Sequence, residues 1–431
     1  MIHDNLSINE NGHLTFAGRD TVELAKKYGT PLYLMEEERI RERIRTYKKA
    51  FEDFLPEGSM PEYASKAFSC KSIYRILAEE GINADVVSVG ELYTAVKAGF
   101  NAKNCFFHGN DKTDRDIEFA INQGVGHFVC DSMEEIYAID KIAGNLGINQ
   151  KILIRVTPGI DPHTHQKIST GSVDSKFGIA LETGQAEDAI KEILTLKNIT
   201  LCGFHCHVGS QVFDSEVFRD AAQIMLKFIK HINDTLSYMA EYLNLGGGFG
   251  VRYVEGDPVI DYRQRVKEVA NTVTATAKEL GITVPKIMME PGRSLVADSG
   301  ITLYTVGSVK TIPNYKTYVS VDGGMTDNPR YALYEAKYTV INATKADEKP
   351  DLNAVIAGRC CESGDLIGTD IPVATPTRGD VLAVLSTGAY NYSMASNYNR
   401  VPRPPVVMLT KDGEYTAVKR ETLDDIISLD E

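Results

Sequence analysis

The chain has 431 residues, of which 43% are hydrophobic, and its formal net charge is −13. This length and hydrophobic content predict a globular protein with enough apolar residues for the cores of two domains. The excess of acidic residues argues against binding to nucleic acids or to anionic membranes, because both partners require a basic surface.

The N-terminal residues are polar and mixed in charge, so they do not have the pattern of a secretory signal. No apolar run approaches the length of a membrane span. The seven cysteines are scattered without a disulfide framework, which is typical of a reducing compartment. We therefore expect a cytoplasmic protein.

Between residues 60 and 290, short β-branched runs alternate with amphipathic windows that are typical of helices. Ser132 followed by Glu135 has the spacing of a helix capping box. Eight βα units in one block predict a (β/α)8 barrel, and a doubly wound sheet is the alternative. The eight predicted strands are Pro61–Ser65, Ala84–Val89, Asn104–Phe107, Gly126–Cys130, Lys151–Thr157, Ile199–His207, Tyr242–Leu245 and Val284–Met289.

After Asp298 the pattern changes to short alternating runs separated by Gly, Pro, Asp and Asn. This pattern predicts an all-β domain, either a sandwich or a barrel. The N-terminal stretch "GHLTFAG" could add a strand to it. We expect residues 36–298 to form the (β/α)8 barrel and residues 1–35 and 299–431 to form the β domain.

Reactive side chains collect at the ends of the predicted barrel strands, where the active site of such a barrel lies. The glycine run "GGGFG" after strand seven and "EPGR" after strand eight predict a phosphate cradle, because glycines let backbone N–H groups approach an anion. Lys66 follows strand one; it is either a solvated surface lysine or an amine activated by burial to react with a carbonyl.

A phosphate cradle together with an activated lysine predicts pyridoxal 5′-phosphate as the cofactor. The ring nitrogen of this cofactor requires a carboxylate, which Glu290 could supply from the end of strand eight. The alternative for Glu290 is a solvated charge or a pair with Arg293. The flat ring of the cofactor also requires a stacking partner, for which His207 is the candidate.

The stretch "GFHCHVGSQ" places His205 and His207 on one face of a strand. A zinc site would need a further ligand such as His163 or His165. Because no Cys-x-x-Cys or His-Glu-x-x-His motif is present, we expect no metal. We expect a packed core histidine at His205 and a stacking histidine at His207.

Together these segments resemble the diaminopimelate decarboxylases, which are fold-type-III pyridoxal-phosphate enzymes related to ornithine and arginine decarboxylases and to alanine racemase. The segments that carry the resemblance are, in chain order, "YASKAF", "DVVSVGEL", "HGNDK", "HQKISTGSVDSKFGI", "FHCHVGSQ", "NLGGGFG", "MEPGRS", "DGGMTDNPRYALY" and "CESGD". The resemblance covers nearly the whole chain. It implies an alanine-racemase-like barrel followed by a C-terminal β domain.

The resemblance also implies roles for individual residues. Lys66 would bind the cofactor covalently, His207 would stack on its ring, Glu290 would pair with the ring nitrogen, and Cys361 would act near the reacting carbon. The residues implied to bind the phosphate are Ser210, Gly247, Gly248, Gly292, Arg293 and Tyr390. The residues implied to bind the substrate are Arg293, Arg330, Tyr334, Glu362 and Tyr390.

In the family, the β domain of one subunit meets the barrel of its partner, which implies a homodimer with shared active sites. The implied reaction is the decarboxylation of meso-2,6-diaminopimelate to L-lysine, the last step of lysine biosynthesis. Three alternatives are open: a decarboxylase of ornithine, arginine or carboxynorspermidine on the same scaffold, a non-catalytic relative, and a metal hydrolase.

Overall fold

The structure, a computed structural model, describes residues 1–159 and 176–431. The chain divides into two compact units. The first, here called the barrel unit, comprises Arg41–Gly250 and Ile260–Gly292. The second, here called the β unit, comprises Met1–Ile40, Val251–Val259 and Arg293–Glu431. The predicted domain boundaries at residues 36 and 298 remain predictions.

The bounds of the regular elements are as follows. The strands are β1 Leu6–Ile8, β2 Leu14–Phe16, β3 Arg19–Asp20, β4 Leu32–Glu36, β5 Met60–Ala64, β6 Asn83–Val86, β7 Cys105–Phe107, β8 His127–Cys130, β9 Gln150–Thr157, β10 Ile179–Ala180, β11 Ile199–His205, β12 Tyr242–Asn244, β13 Lys286–Met289, β14 Gly300–Ile312, β15 Lys316–Val321, β16 Val340–Asn342, β17 Leu352–Ala357, β18 Leu366–Val373, β19 Val381–Val384, β20 Val406–Thr410 and β21 Gly413–Val418. The α-helices are α1 Thr21–Tyr28, α2 Glu37–Phe54, α3 Lys71–Glu80, α4 Val89–Lys97, α5 Asp114–Asn122, α6 Met133–Leu146, α7 Gln185–Ile193, α8 Ser215–Leu236, α9 Tyr262–Leu280, α10 Arg293–Val296, α11 Arg330–Tyr334 and α12 Leu423–Ile427.

Parallel strands of the barrel unit close into a barrel. Their order is β5-β6-β7-β8-β9-β11-β12-β13, and β13 pairs with β5 again. Among the described residues, the short strand β10 pairs with β9 alone. The predicted (β/α)8 barrel is therefore confirmed, and the doubly wound sheet is excluded, because an open sheet would have two free edges. All eight predicted strands are present, with ends that differ by a few residues.

One of these differences has a local cause. The second strand was predicted to reach Val89, but it ends at Val86 because Ser88 caps α4 by accepting the N–H of Glu91 at 3.2 Å. Ser132 caps α6 in the same way, with Glu135 N at 3.3 Å. The capping box predicted there is only half formed, because the Glu135 carboxylate accepts the N–H of Asp131 instead.

The β unit contains a mixed sheet of nine strands and a separate three-stranded sheet. The long strand β14 pairs with β4 and β19 through its first half and with β15 through its second half. The β-rich domain is thus confirmed, although β15 and β17 run parallel, as do β4 and β20. The predicted strand in "GHLTFAG" exists as β2, but it pairs with β1 and β3 in the smaller sheet.

The core of the β unit follows from the alternating pattern of its strands. In the β unit, alternate residues of β2, β4 and β14 pack in one hydrophobic cluster that includes Phe16, Leu34 and Leu303.

In the described part of the chain, no helix combines the length and the hydropathy that a membrane crossing requires.

Candidate active site

Lys66 lies directly after β5, in a single 3-10 turn formed by Ser65–Ala67. Its neighbours Ser65 and Ala67 are buried, whereas the Lys66 side chain is exposed at the end of the barrel strand. Tyr63 fixes this turn because its hydroxyl donates to the carbonyl of Phe68 at 2.8 Å. The turn therefore leaves Lys66 accessible at the barrel end, where its charge acts to lower the pKa values of Asp85 and His207.

His207 follows β11, at the same end of the barrel. Its Nδ1 accepts the backbone N–H of Gly247 at 3.1 Å. Because that backbone group can only donate, the ring proton must lie on Nε2. Burial, and next the positive charge of Lys66, lower the pKa of His207 well below its usual value. His207 is therefore a neutral, flat ring held in one orientation.

The glycine run after β12 is packed too closely for any side chain. A Cβ on Gly247 would lie 2.0 Å from the carbonyl oxygen of Glu290, and one on Gly248 would lie 2.0 Å from that of Gly209. Gly248 also has φ +107°, a conformation that favours glycine. The N–H of Gly247 donates to His207 here, so the phosphate contacts of Gly247 and Gly248 remain predictions.

Two further predicted phosphate residues belong to the same end of the barrel. Ser210 lies three residues beyond His207 and is half-buried. Gly292 packs on the end of β5, where an added Cβ would lie 2.9 Å from the Cβ of Ala64. The phosphate contacts of Ser210 and Gly292 also remain predictions.

Glu290 follows β13 and is buried. Its Oε1 atom lies 2.8 Å from Asn244 Nδ2, 3.0 Å from His205 Nε2 and 3.3 Å from His108 Nε2. Burial acts to raise the pKa of Glu290, but His205 and His108 outweigh it and hold the pKa well below its usual value. Glu290 is therefore an anion held by Asn244, His205 and His108 within the barrel unit.

The other buried carboxyls of the barrel behave differently. Glu62 on β5 accepts the second N–H of Asn244 at 3.1 Å, and Asp85 lies on the neighbouring strand β6. Burial first, and then the charge of Glu290, raise the pKa values of both Glu62 and Asp85 well above their usual range. We therefore assign the negative charge of this group to Glu290.

Among the described residues, His108, His205 and Glu290 each have a ligand atom within 4.8 Å of the other two, a spacing at which a metal ion could be held. This group differs from the zinc alternative weighed from the sequence, which combined His205 and His207 with His163 or His165; the last two fall outside the described residues. Glu290 Oε1 accepts an N–H from Asn244 at 2.8 Å, whereas His108 Nε2 and His205 Nε2 make no hydrogen bond within the described residues.

In the β unit, the structure brings together four of the predicted substrate and phosphate residues. The guanidinium groups of Arg293 and Arg330 lie 4.6 Å and 5.5 Å from the centre of the Tyr390 ring. Arg330 also lies 5.8 Å from the Tyr334 ring. The sequence reasoning missed Tyr253, whose hydroxyl accepts from Arg293 Nη1 at 2.6 Å.

Arg330 opens the short helix α11 and is buried. Burial opposes its charge, but the tyrosines around it, led by Tyr338 and Tyr253, keep its pKa above the usual value. Among the described residues, its Nε atom has no hydrogen-bond partner. A buried guanidinium with an unused donor is suited to bind a carboxylate.

Cys361 and Glu362 lie in the loop between β17 and β18 and are both exposed. Asp365 holds this loop, because its carboxylate accepts the N–H groups of Met325 and Cys360, each at 2.6 Å. In the described part of the chain, the hydrogen bonds of Cys361 and Glu362 stay within the loop or go to Asn399. The structure therefore does not bring them to the arginine cluster of their own chain.

The comparisons with known proteins agree with this architecture. Residues 37–297 match the family described as "Pyridoxal-dependent decarboxylase, pyridoxal binding domain". The chain is 46% identical to the diaminopimelate decarboxylase of Bacillus subtilis over 100% of this chain and 98% of that protein. It is 48% identical to that of Bacillus methanolicus over 97% of each protein.

Solved structures give the same result. The structure of diaminopimelate decarboxylase from M. jannaschii superposes with a TM-score of 0.90 at 37% identity, over 99% of this chain and 98% of that one. The Helicobacter pylori enzyme complexed with L-lysine superposes with a TM-score of 0.86 at 33% identity, over 95% of this chain and 99% of that one.

Proposed function

The chain belongs to the diaminopimelate decarboxylases of the pyridoxal-dependent decarboxylase family, and we propose that it converts meso-2,6-diaminopimelate to L-lysine and carbon dioxide. This reaction is the last step of lysine biosynthesis. The observation that carries the proposal is the joint placement of Lys66, His207 and Glu290 at the ends of β5, β11 and β13. These three groups match the demands of pyridoxal 5′-phosphate for an amine, a flat partner and a carboxylate.

The barrel residues fit this cofactor in both shape and charge. We assign Lys66 to its covalent attachment, His207 to stacking on its ring and Glu290 to its ring nitrogen. The cofactor supplies the electron sink for the loss of carbon dioxide. Glu290 contributes by remaining an anion, which keeps a proton on the ring nitrogen, and the neutral ring of His207 contributes a flat surface that excludes water.

The substrate assignments rest on charge and burial in the β unit. Arg330, with its unused Nε donor, and Arg293 would bind carboxylates, and Tyr334 and Tyr390 would add hydroxyl donors. Glu362 would hold the distal ammonium of the substrate. The second carboxylate, which shares a carbon with the distal ammonium, is the chemical feature that separates diaminopimelate from ornithine and arginine.

We also propose a homodimer with shared active sites. The support is that Cys361 and Glu362, which are expected to act on the substrate, are exposed on a loop of the β unit. In this arrangement residues 36–298 bind the cofactor, and residues 1–35 and 299–431 contribute substrate and dimer-interface residues. Cys361 would act on the reacting carbon bound to the partner's barrel.

Two experiments test the proposal. The purified protein, with and without added pyridoxal phosphate, is incubated with meso-diaminopimelate, ornithine, arginine or carboxynorspermidine, and released carbon dioxide is measured. We expect release only from diaminopimelate, only with cofactor, and unchanged by a chelator. Release from another substrate alone, or without cofactor, would contradict the assignment, and loss of activity on chelation would favour a metal hydrolase.

The second experiment addresses the shared sites. Lys66→Ala and Cys361→Ala proteins, each inactive, are dissociated, mixed and reassociated. If each site uses residues of both subunits, about a quarter of wild-type activity should return, because half of the random dimers are mixed and each has one intact site. If both residues act within one chain, no activity returns.

A further inference from the structure

Glu290 is held on one side only. Among the described residues, the side-chain contacts of Glu290 all fall on its Oε1 atom, with Asn244 Nδ2 at 2.8 Å, His205 Nε2 at 3.0 Å and His108 Nε2 at 3.3 Å. These groups come from the end of β12, the end of β11 and the residue after β7. Three separate strands therefore converge on a single carboxylate oxygen.

The two imidazoles form a rigid pair. Both rings are buried and meet edge to face, with centroids 5.0 Å apart and planes at 76°. Burial, more than any charge, lowers the pKa of His108 well below its usual value, so this ring is neutral and has one N–H. Neither imidazole makes a hydrogen bond to this oxygen among the described residues, so both act on Glu290 electrostatically, whereas the Asn244 contact is a hydrogen bond.

Asn244 is itself fixed. Its Oδ1 accepts the backbone N–H of Gly246 at 2.8 Å, which sets the orientation of the amide. Its Nδ2 group then bridges Glu290 and Glu62. The backbone N–H of Gly246, at the start of the glycine run, therefore directs the NH2 group of Asn244, rather than its oxygen, toward Glu290.

We propose that His205, His108 and Asn244 are positioning residues that hold Glu290 as an anion through Oε1 and leave Oε2 for the ring nitrogen of the cofactor. The presence of that nitrogen rests on the proposed function. The role of His205, His108 and Asn244 goes beyond it, because it concerns the charge of Glu290 in the protein itself.

Without His205, His108 and Asn244, the buried interior of the barrel would favour the protonated form of Glu290. Burial raises the pKa of a carboxyl in this interior, as Glu62 and Asp85 show. The other titratable or charged groups that face Glu290 or its donors are Glu62, Lys66, Asp85, Lys112, Arg155, Cys206 and His207.

The test uses His205→Leu, His108→Leu and Asn244→Leu, with His205→Gln as the variant that restores an N–H donor. His127→Phe is the matched control, because His127 is also a buried barrel histidine but stacks on Phe106, with centroids 4.4 Å apart. Circular dichroism verifies that each variant is folded. If His205→Leu does not fold, Asn244→Leu and His108→Leu test the same claim.

The first readout needs no cofactor. The carboxyl carbon of Glu290 is labelled with 13C in the cofactor-free protein, assigned by its loss in Glu290→Gln, and titrated by NMR. We expect each leucine variant to raise the titration midpoint by more than about one pH unit, with His127→Phe unchanged and His205→Gln close to wild type. An unchanged midpoint in the leucine variants, or an equal rise in His127→Phe, would overturn the proposal.

The second readout uses the loaded enzyme. We expect kcat to fall about 10- to 100-fold in His205→Leu with little change in KM. The loss of one contact to a charged group typically lowers a rate by about this factor. An equal loss in His127→Phe would overturn the positioning role. If the protein neither binds cofactor nor decarboxylates, the proposed function fails while the NMR titration still decides the charge of Glu290.

Discussion

The buried ion pair between Lys112 and Glu135 gives a quantitative test of how the strand ends of the barrel are held. Lys112 Nζ donates to Glu135 Oε1 at 2.6 Å and to the carbonyls of Gly109 and Val129 at 2.8 Å and 2.9 Å. The two side chains are only 2% and 4% exposed. Lys112 therefore ties the loop that contains His108 to β8 and α6.

Lys112→Met keeps the length of the side chain but removes all three donations. It leaves the Glu135 carboxylate buried without a counter-charge, which costs about 3–5 kcal/mol of unfolding free energy. The carboxylate can escape part of this cost by taking up a proton, since burial already raises its pKa and Lys112 opposes that rise. The loss of stability should therefore be larger at pH 8 than at pH 6.

The double variant Lys112→Met/Glu135→Leu removes both charges, so it should lose less stability than Lys112→Met alone. Urea unfolding followed by fluorescence and circular dichroism measures all of these variants. Lys191→Met is the control, because Lys191 pairs with Glu187 on the surface and its loss should change little. A single variant as stable as the control, or a double variant less stable than the single, would refute the reasoning.

Three further predictions concern the site and its surroundings. Lys66→Ala should abolish the absorbance of covalently bound cofactor and lower turnover by orders of magnitude; retention of both would show that Lys66 is not the attachment site. Glu362→Gln should raise KM for diaminopimelate while cofactor affinity stays at the wild-type value, and the reverse result in equilibrium dialysis would assign Glu362 to the cofactor. Burial raises the pKa of Asp327 to about 7 from 3.8, so the folded state retains a proton that the unfolded state releases. Unfolding free energy should therefore fall as pH rises between these values, and Asp327→Asn should flatten that slope in urea unfolding; an unchanged slope would mean that Asp327 is ionised in the folded protein.

The barrel could be predicted because each of its strands is a short apolar run followed by a helical period, a pattern that depends only on neighbouring residues. The β unit was harder. Strand β4 pairs with β14 and β20, which are far from it in sequence, and β17 and β18 are interrupted by register shifts. Pairing between distant segments leaves no local signal by which such strands could be found.

The same limit applies to the candidate site. Lys66, His207 and Glu290 could be predicted because each ends a strand and carries a side chain with distinctive chemistry. Tyr253 could not, because it follows the glycine run in a segment without periodicity and meets Arg293 only in the folded β unit. His108 could be placed at a strand end, but its contact with Glu290 depends on the curvature that closes the barrel.

Barrel closure also decides which acid of the interior is charged. Glu62, Asp85 and Glu290 are buried in one barrel, where three like charges would repel strongly in a medium of low polarity. The sequence shows three acids on or after neighbouring strands and no reason to prefer one. Only Glu290 lies against two imidazoles and an amide N–H, so the single negative charge is most stable there. Because the ring nitrogen of the cofactor needs an anion, the placement of two histidines, rather than the identity of the acid, is our reason for proposing Glu290 as the functional carboxylate.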